Sequence, residues 1–471
     1  MRRSIALLAI LFAPFLIAQS INLKDLNNQF DYVIISAPDL MISCNNFKIH
    51  KEELGFKVLV VSTDQIISQF NSKDLEQDNL RDFISFAGTY WKYPKPKYFL
   101  LAGDISEIPN YKFAGIPGYN DTAKTDYYYS VNLYDPDTSH TDFYVGRIAA
   151  RTNTELTNYF NKVINYENNK EVKPWNLNSL IISDEGVTPT SNDGDIFESI
   201  SMQMGNQMPS SINAKYFFEA DTSMYYGNKD SILNYINNSG TGTVFFVGHN
   251  NDSEFTHENY FNISDVDLIN NGEKYFFVNF LGKISFSGSS SSNLVDQMLF
   301  KEDGAVAGFN SVGTVYALES SDLINSYIKF LYSADHLSLG QVAASIINNS
   351  NNSRKKQYNI FGDPSIKLKS DITAGIAGPA GSIPSEYNLE QNFPNPFNPS
   401  TLIRFSLPKD DFIQLKIYDV LGNEVAALVN GFLKAGKHEI KFVPKDLGSG
   451  IYFYSLKGTN FEKTNKMVFI K

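Results

Sequence analysis

The sequence predicts an α/β protein built on a mostly parallel sheet, followed by a smaller all-β immunoglobulin-like sandwich. Three observations carry this expectation. Between residues 30 and 370, apolar runs of four to eight residues recur, rich in Val, Ile and Phe. They include YVIISAP (32–38), FKVLVVST (56–63), KYFLLAGD (97–104), NSLIISD (178–184), GTVFFVGH (242–249), KYFFVNF (274–280) and GAVAGFN (304–310). Strands buried on both faces, as in parallel sheets, have this character. Helical signals separate them: Thr152 and Glu155 are spaced as a capping box ahead of Leu156, Phe160 and Val163, which share one helix face. Beyond residue 387 the pattern changes to closely spaced alternating strands, such as FIQLKIYDV (412–420) and GIYFYSLKG (450–458), which suit an antiparallel sandwich.

Taken in order, the chain opens with Arg2 and Arg3 ahead of an apolar run from Ile5 to Ala18 and a small residue at Ser20. This is the pattern of a secretory signal peptide over residues 1–20, too short to span a bilayer. Its removal takes away two positive charges and leaves −13 from the full chain's −11. No later run reaches transmembrane length, so the mature protein is expected not to be transmembrane. Residues 21–369 form the large domain, and the Gly/Pro/Ser-rich stretch at 370–386 reads as a linker. Residues 387–471 form the sandwich. The acidic balance, 51 Asp and Glu against 40 Lys and Arg, argues against nucleic acid as a partner, because phosphate-backbone binding needs clustered cations. A single cysteine, Cys44, excludes intrachain disulfides and Cys-rich metal sites.

In open α/β sheets, ligands bind beyond the carboxyl ends of the strands. That rule singles out Asp104, Asp184–Glu185 and Gly248–His249, each at the exit of an apolar run.

The last segment, with YNLEQNFPNPFNPSTLIRFSLP, IYDVLGNEV and LGSGIYFYSLKGTNFEKTNKMVFIK, resembles the C-terminal sorting domain of the type IX secretion system. The resemblance implies passage through the periplasm and across the outer membrane, to the cell surface or the medium, with the secretion machinery as partner. The large domain resembles the gingipain family of cysteine peptidases, whose fold is caspase-like. YFLLAGDISEIP (98–109), TDYYYS (125–130), DFYVGRIAARTNTEL (142–156), NYE (165–167), IISDEG (181–186), GTGTVFFVGHN (240–250), GAVAGFNS (304–311) and FGDPSI (361–366) follow in family order.

The resemblance implies a thiolate nucleophile, a histidine base and an acidic partner. His249 matches the family histidine, although Asn250 replaces the glycine that should follow. Glu185 matches the family's glutamate, and Asp195 its aspartate, with Asp193 competing for that alignment. The nucleophile should follow the strand within YFFVNFLGKISFSG (275–288). Aligning Phe286 with the motif phenylalanine places Leu281 in the cysteine position, and a one-residue shift selects Gly282. Neither carries a thiol. Cys44 lies more than 200 residues before His249, Ser285 and Ser287 fall past the nucleophile position, and His249 and His257 lack metal-ligand spacing. Calcium, which gingipain-like domains bind, finds candidate oxygens in DPDTSHTD (135–142).

The expectation is a secreted gingipain homologue whose peptidase chemistry has been lost and whose crevice binds peptide or protein ligands. An active cysteine endopeptidase and a structural or adhesive surface protein are the alternatives.

Overall fold

The computed structural model describes residues 21–470, apart from 115–121, 138, 187–193, 257–259, 282–283, 287–291, 314–316, 371–386, 390, 393–394, 399–400, 410, 434–435, 445–446 and 460. The expected signal segment 1–20 and nearly all of the expected linker therefore lie outside the described residues. The chain divides into two compact units, Met1–Gly375 and Ile376–Lys471. Among the described residues no helix is long and apolar enough to cross a membrane.

The first unit is organised by a ten-stranded sheet. In chain order its strands are β1 (Tyr32–Ser36), β2 (Val58–Ser62), β3 (Tyr98–Ala102), β4 (Tyr144–Ile148), β5 (Asn178–Ser183), β6 (Asn213–Phe218), β7 (Thr243–Val247), β8 (Phe276–Leu281), β9 (Ala305–Ser311) and β10 (Tyr358–Gly362). Across the sheet they lie in the order β2-β1-β3-β4-β10-β9-β8-β7-β5-β6. Every neighbouring pair is parallel except β9 with β10. The apolar runs are continuous because both sheet faces are covered. In β1, Tyr32 and Ile34 join one core, with Val58 and Leu100. Val33 and Ile35 join the other, with Phe99 and Leu101.

Strands β5 to β9 lie as β6-β5-β7-β8-β9. The chain first steps to one side of β5 and then works away on the other, so a topological switch point lies between β5 and β7. At such a point the connections of an open α/β sheet part, and the rule for these sheets places a crevice beyond the carboxyl ends of the two strands.

Helices on the first half fix its position on the sheet. Helix α1 (Cys44–Glu53) packs on β2 and on α2 (Asn153–Asn168), with the rings of Phe47 and Phe160 stacked at 4.2 Å. At the start of α2, Thr152 accepts from the Glu155 amide at 3.2 Å and Glu155 accepts from the Thr152 amide at 3.1 Å, the capping box expected from the sequence.

Two buried ion clusters tie distant segments together. Lys51 Nζ lies 2.6 Å from Asp363 Oδ2 and 2.7 Å from both carboxylate oxygens of Glu167. The Tyr32 hydroxyl donates to Asp363 Oδ1 at 2.7 Å, and the Asp363 amide donates to the Tyr159 hydroxyl at 2.7 Å. The guanidinium of fully buried Arg147 grips Asp126 with two bonds, 2.6 and 2.7 Å, and donates to the carbonyls of Gly103 and Ile108 at 3.1 and 2.9 Å.

The second unit holds two antiparallel sheets. Strands β11 (Asn388–Leu389), β12 (Thr401–Leu407) and β15 (Gly436–Phe442) form one. The other has the order β14-β13-β16-β17, from β13 (Asp411–Tyr418), β14 (Glu424–Leu433), β16 (Gly450–Gly458) and β17 (Phe461–Phe469). Ile403 and Phe405 from the first sheet and Ile413, Leu415, Ile417, Tyr454, Leu456 and Met467 from the second share one core, as in a β-sandwich.

Removing one partner of a fully buried ion pair leaves the other charge uncompensated. Lys51→Met is therefore expected to lower the unfolding free energy by about 3–5 kcal/mol, read from the urea midpoint and slope. A change below about 0.5 kcal/mol, the size of a neutral surface substitution, would show that the cluster does not hold the fold.

Candidate functional site

The site is assembled where β5 and β7 end side by side. Ser183 pairs with Val247 in the parallel register, and the Asp184 amide extends that ladder by donating to the Val247 carbonyl at 3.0 Å. This register brings Asp184 level with the Gly248–His249 turn. The Asp184 carboxylate then accepts from both the backbone and the ring of His249: Oδ2 lies 2.8 Å from the His249 amide and 2.8 Å from Nδ1. Oδ1 accepts from the Gly186 amide at 2.9 Å.

Gly248 makes this approach possible. A Cβ there would lie 2.2 Å from Asp184 Cβ and 3.0 Å from Oδ2, so any side chain would push the carboxylate away from the imidazole. The glycine before the histidine is thus required by the packing of its neighbour.

Asp184 is buried, with 2% side-chain exposure, whereas His249 is 30% exposed. Burial alone would raise the Asp184 pKa, but the bonds from the His249 ring and from the Gly186 and His249 amides outweigh it and hold the carboxyl below its usual value. An ionised carboxylate can only accept, so Nδ1 carries the proton. Phe197, on α3 (Gly194–Gln207), meets the imidazole edge to face with centroids 5.1 Å apart and planes at 83°, which fixes the ring plane. The arrangement is that of an oriented general base.

The loop after His249 is braced on the sheet. Phe255 stacks on Phe246 at 4.4 Å, and the Thr256 amide donates to the His249 carbonyl at 2.9 Å. Thr256 holds φ +58° while almost completely buried. That left-handed conformation costs a β-branched residue about 1–3 kcal/mol. The Thr256 hydroxyl bonds Glu219 Oε1 at 3.3 Å, and Glu219 leaves β6 with its amide on the Ser183 carbonyl at 2.9 Å.

Of the residues expected from the sequence, His249 stands at the crevice. The contact to its ring is made by Asp184, the residue before Glu185, which is half-buried beside it. Asp195 lies in the first turn of α3, with its side chain outside the described residues, as are Asp193, His257 and Ser287. Leu281 is the last residue of β8 and pairs with Val247, two residues before His249. Its side chain and residues 282–283 lie outside the described residues. Farther on, the Ser285 amide donates to Asp252 Oδ1 at 2.7 Å. The chain then crosses the ends of β9 and β10, where the Ile284 amide bonds the Ser311 carbonyl at 2.8 Å and Phe286 stacks on Phe361 at 4.5 Å.

Cys44 is remote from this crevice. It opens α1, fully buried, with Sγ 3.6 Å from the Leu40 carbonyl within its own turn. Burial pushes its thiol up to about 11, against a smaller opposing effect from a Ser36 hydrogen bond. Six strand-to-strand steps separate β1 from β7, a span of about 29 Å at 4.8 Å each.

Among the described residues, one group has metal-ligand spacing, formed by Asp135, His140 and Asp142. His140 Nε2 lies 3.3 Å from Asp142 and 3.7 Å from Asp135, while Nδ1 faces Asp137 at 3.3 Å. Calcium takes six to eight oxygens, and a ring nitrogen at the centre of the group does not fit it.

Two measurements test the Asp184–His249 pair. Gly248→Ala and Asp184→Asn are each expected to abolish the downfield Nδ1 proton of His249 in NMR spectra. A resonance that survives both substitutions would place the ring proton elsewhere. Because the Asp184 pKa is lowered on folding, its stabilisation is present above the unfolded carboxyl value and is lost as pH falls through the folded one. Asp184→Asn is therefore expected to cost about 1–3 kcal/mol at neutral pH, with the difference from the unaltered chain shrinking below about pH 4.

Comparison with known proteins follows the division into units. Residues 25–369 match the model of peptidase family C25, and residues 391–471 match that of the secretion system C-terminal sorting domain. Among solved structures, the Arg-specific cysteine proteinase gingipain R (RgpB) is similar, with a TM-score of 0.58 at 16% identity over 93% of this chain and 98% of that one. The complex of Porphyromonas gingivalis RgpB pro- and mature domains gives 0.57 at 16% identity over 93% and 100%. A further protease structure gives 0.55 at 17% over 95% and 98%. At such identities the likeness is one of fold. No curated protein matches the chain in sequence.

Proposed function

Because the chain belongs to peptidase family C25, we propose that it is an exported, catalytically degenerate member of that family. Its Asp184–His249 crevice binds extended peptide or protein segments and does not cut them. The observation that carries this reading is the position of the sole cysteine. Cys44 is buried in α1 with a raised thiol pKa, about 29 Å along the sheet from the crevice. The residues that end β8 and follow it are Leu281, Gly282 and Lys283, and none of them can supply a thiolate. An imidazole poised to take a proton then has no thiol to take it from.

Binding remains within the crevice's means. The His249 ring is 30% exposed at the strand exits, with its plane set by Phe197 and its Nδ1 by Asp184, and so offers a ligand an oriented polar group beside an aromatic ring. The sorting domain directs the chain to the cell surface or the medium and implies contact with the type IX secretion machinery. Partners would be met outside the cell.

The intact Asp184–His249 pair favours a second reading, an endopeptidase that uses a nucleophile other than a thiol. One experiment separates the two. The purified full chain, incubated with unfolded casein, is expected to yield no fragments, with or without a thiol-blocking reagent. Cleavage stopped by the reagent would overturn the reading outright. Cleavage that ignores the reagent but disappears in His249→Ala would establish the second reading. With a panel of unstructured peptides, His249→Ala is expected to weaken capture by about fivefold, a loss near 1 kcal/mol. Equal capture by both proteins would move binding away from the crevice.

A further inference from the structure

The outward face of the four-stranded sheet in the second unit divides into two unlike ends. Along β13, Ile413, Leu415 and Ile417 turn into the core, so Gln414, Lys416 and Tyr418 face out. Register then fixes their neighbours. Gln414 pairs with Lys457, which pairs with Glu462, and Lys416 pairs with Ser455, which pairs with Thr464. This end is polar and its charges are matched: Lys457 meets Glu462 at 3.6 Å, and Lys416 meets Glu424, which pairs with Tyr418 at the border of the other end, at 2.8 Å.

The other end reads differently. Tyr418 pairs with Phe453, and Ile451 pairs with Val468. Val420 and Leu421 lie in the turn that follows Tyr418. Exposure here is high for aliphatic side chains: 65% for Val420, 83% for Leu421, 44% for Ile451 and 50% for Ile470. The turn that carries Val420 and Leu421 is held firmly, since the Asp419 carboxylate accepts from the amides of Leu421 and Asn423 at 2.8 and 2.9 Å. A fixed turn that keeps two aliphatic side chains in water is a surface built to be covered.

We infer that this apolar end, formed by Tyr418, Val420, Leu421, Ile451, Phe453 and Val468, is the docking surface of the sorting domain. Its occupant is a component of the secretion machinery that offers an apolar patch rimmed by acidic groups. The inference rests on the sorting reading of residues 391–471, which supplies the partner. Charge supplies the rim. Residues 391–471 carry 11 Lys and Arg against 7 Asp and Glu, a net +4, in a chain whose total is −11. Exposed Lys466 pairs with Phe453 at the border of the patch. A cationic module favours an acidic partner.

The test follows export of the full chain in a host that carries the machinery, by the ratio of surface and medium to periplasmic protein. Val420→Asp/Ile451→Glu replaces exposed side chains, and an unchanged thermal melt of the purified chain establishes folding. This variant is expected to lose about tenfold in the export ratio, the size of a lost interface anchor. Gln414→Glu, at the polar end of the same face, is expected to export normally. Normal export of a folded Val420→Asp/Ile451→Glu chain, where deletion of residues 391–471 blocks export, would overturn the docking surface and leave the sorting reading standing. Normal export of the deletion itself would overturn the sorting reading. Lys466→Glu is expected to lower export about threefold through the acidic rim, and unchanged export there would remove the rim from the proposal.

Discussion

A lysine ammonium sealed from water sets the constraint on which the first unit depends. Burial alone would drive the Lys51 pKa down, but Asp363 and Glu167 reverse that effect and hold it above its usual value. The three groups arrive from separate parts of the chain: Lys51 from the helix after β1, Glu167 from the end of α2, and Asp363 from the residue after β10. Desolvating three charges is tolerable only if all of them meet, so the first half of the sheet and its last strand must close together. Lys162 shows the contrary case. Its ammonium reaches the carbonyls of Met298 and Leu299 at 3.1 and 2.8 Å, with no carboxylate in hydrogen-bond reach among the described residues, and burial there lowers its pKa strongly. Carbonyls satisfy the hydrogen bonds of an ammonium, but only carboxylates repay the loss of hydration of its charge.

The same clusters explain why so much of the fold was legible. Several sequence elements that carried the family resemblance supply buried ions. TDYYYS provides Asp126, the strand in DFYVGRIAAR provides Arg147, FGDPSI provides Asp363, and NYE provides Glu167. A buried charge cannot drift without its partner, so such motifs stand out against a background of interchangeable apolar residues. The partnerships themselves were not legible. Tyr32 and Asp363 are 331 positions apart, and no local spacing links them. Alternation and run length gave the strands, whereas the antiparallel entry of β10 depended on long-range pairing.

The Asp184–His249 contact was legible only in part. His249 was marked by its place at the end of an apolar run, because a parallel sheet leaves its strand exits facing a crevice. Asp184 and Glu185 leave the neighbouring strand together, and composition gives no reason to prefer either. The register Ser183–Val247 decides it, by setting Asp184 against the turn at Gly248. The glycine was the available signal. A residue without a side chain before the histidine leaves space that a neighbour must fill, and the neighbour one strand away is Asp184. Phe197 and Thr256 had no comparable mark, since one is an ordinary apolar helix residue and the other reveals itself only by its backbone.

Preservation of an acid–histidine pair is commonly taken as a sign of chemistry, yet here it follows from burial. Asp184 keeps its charge at 2% exposure because the imidazole and two amides compensate it. Without His249, the carboxylate would have to protonate or reopen the ends of β5 and β7 to water. The cost of losing one partner of such a buried pair exceeds the cost of never having formed it. On the proposed reading, in which the nucleophile is missing, the pair still closes the sheet at its switch point. A nucleophile would have no such second role: a residue at a strand's exit that reacts but does not hold neighbouring strands together can be replaced with little effect on folding. The parts of the site that support the fold and the part that serves only the reaction thus separate on physical grounds.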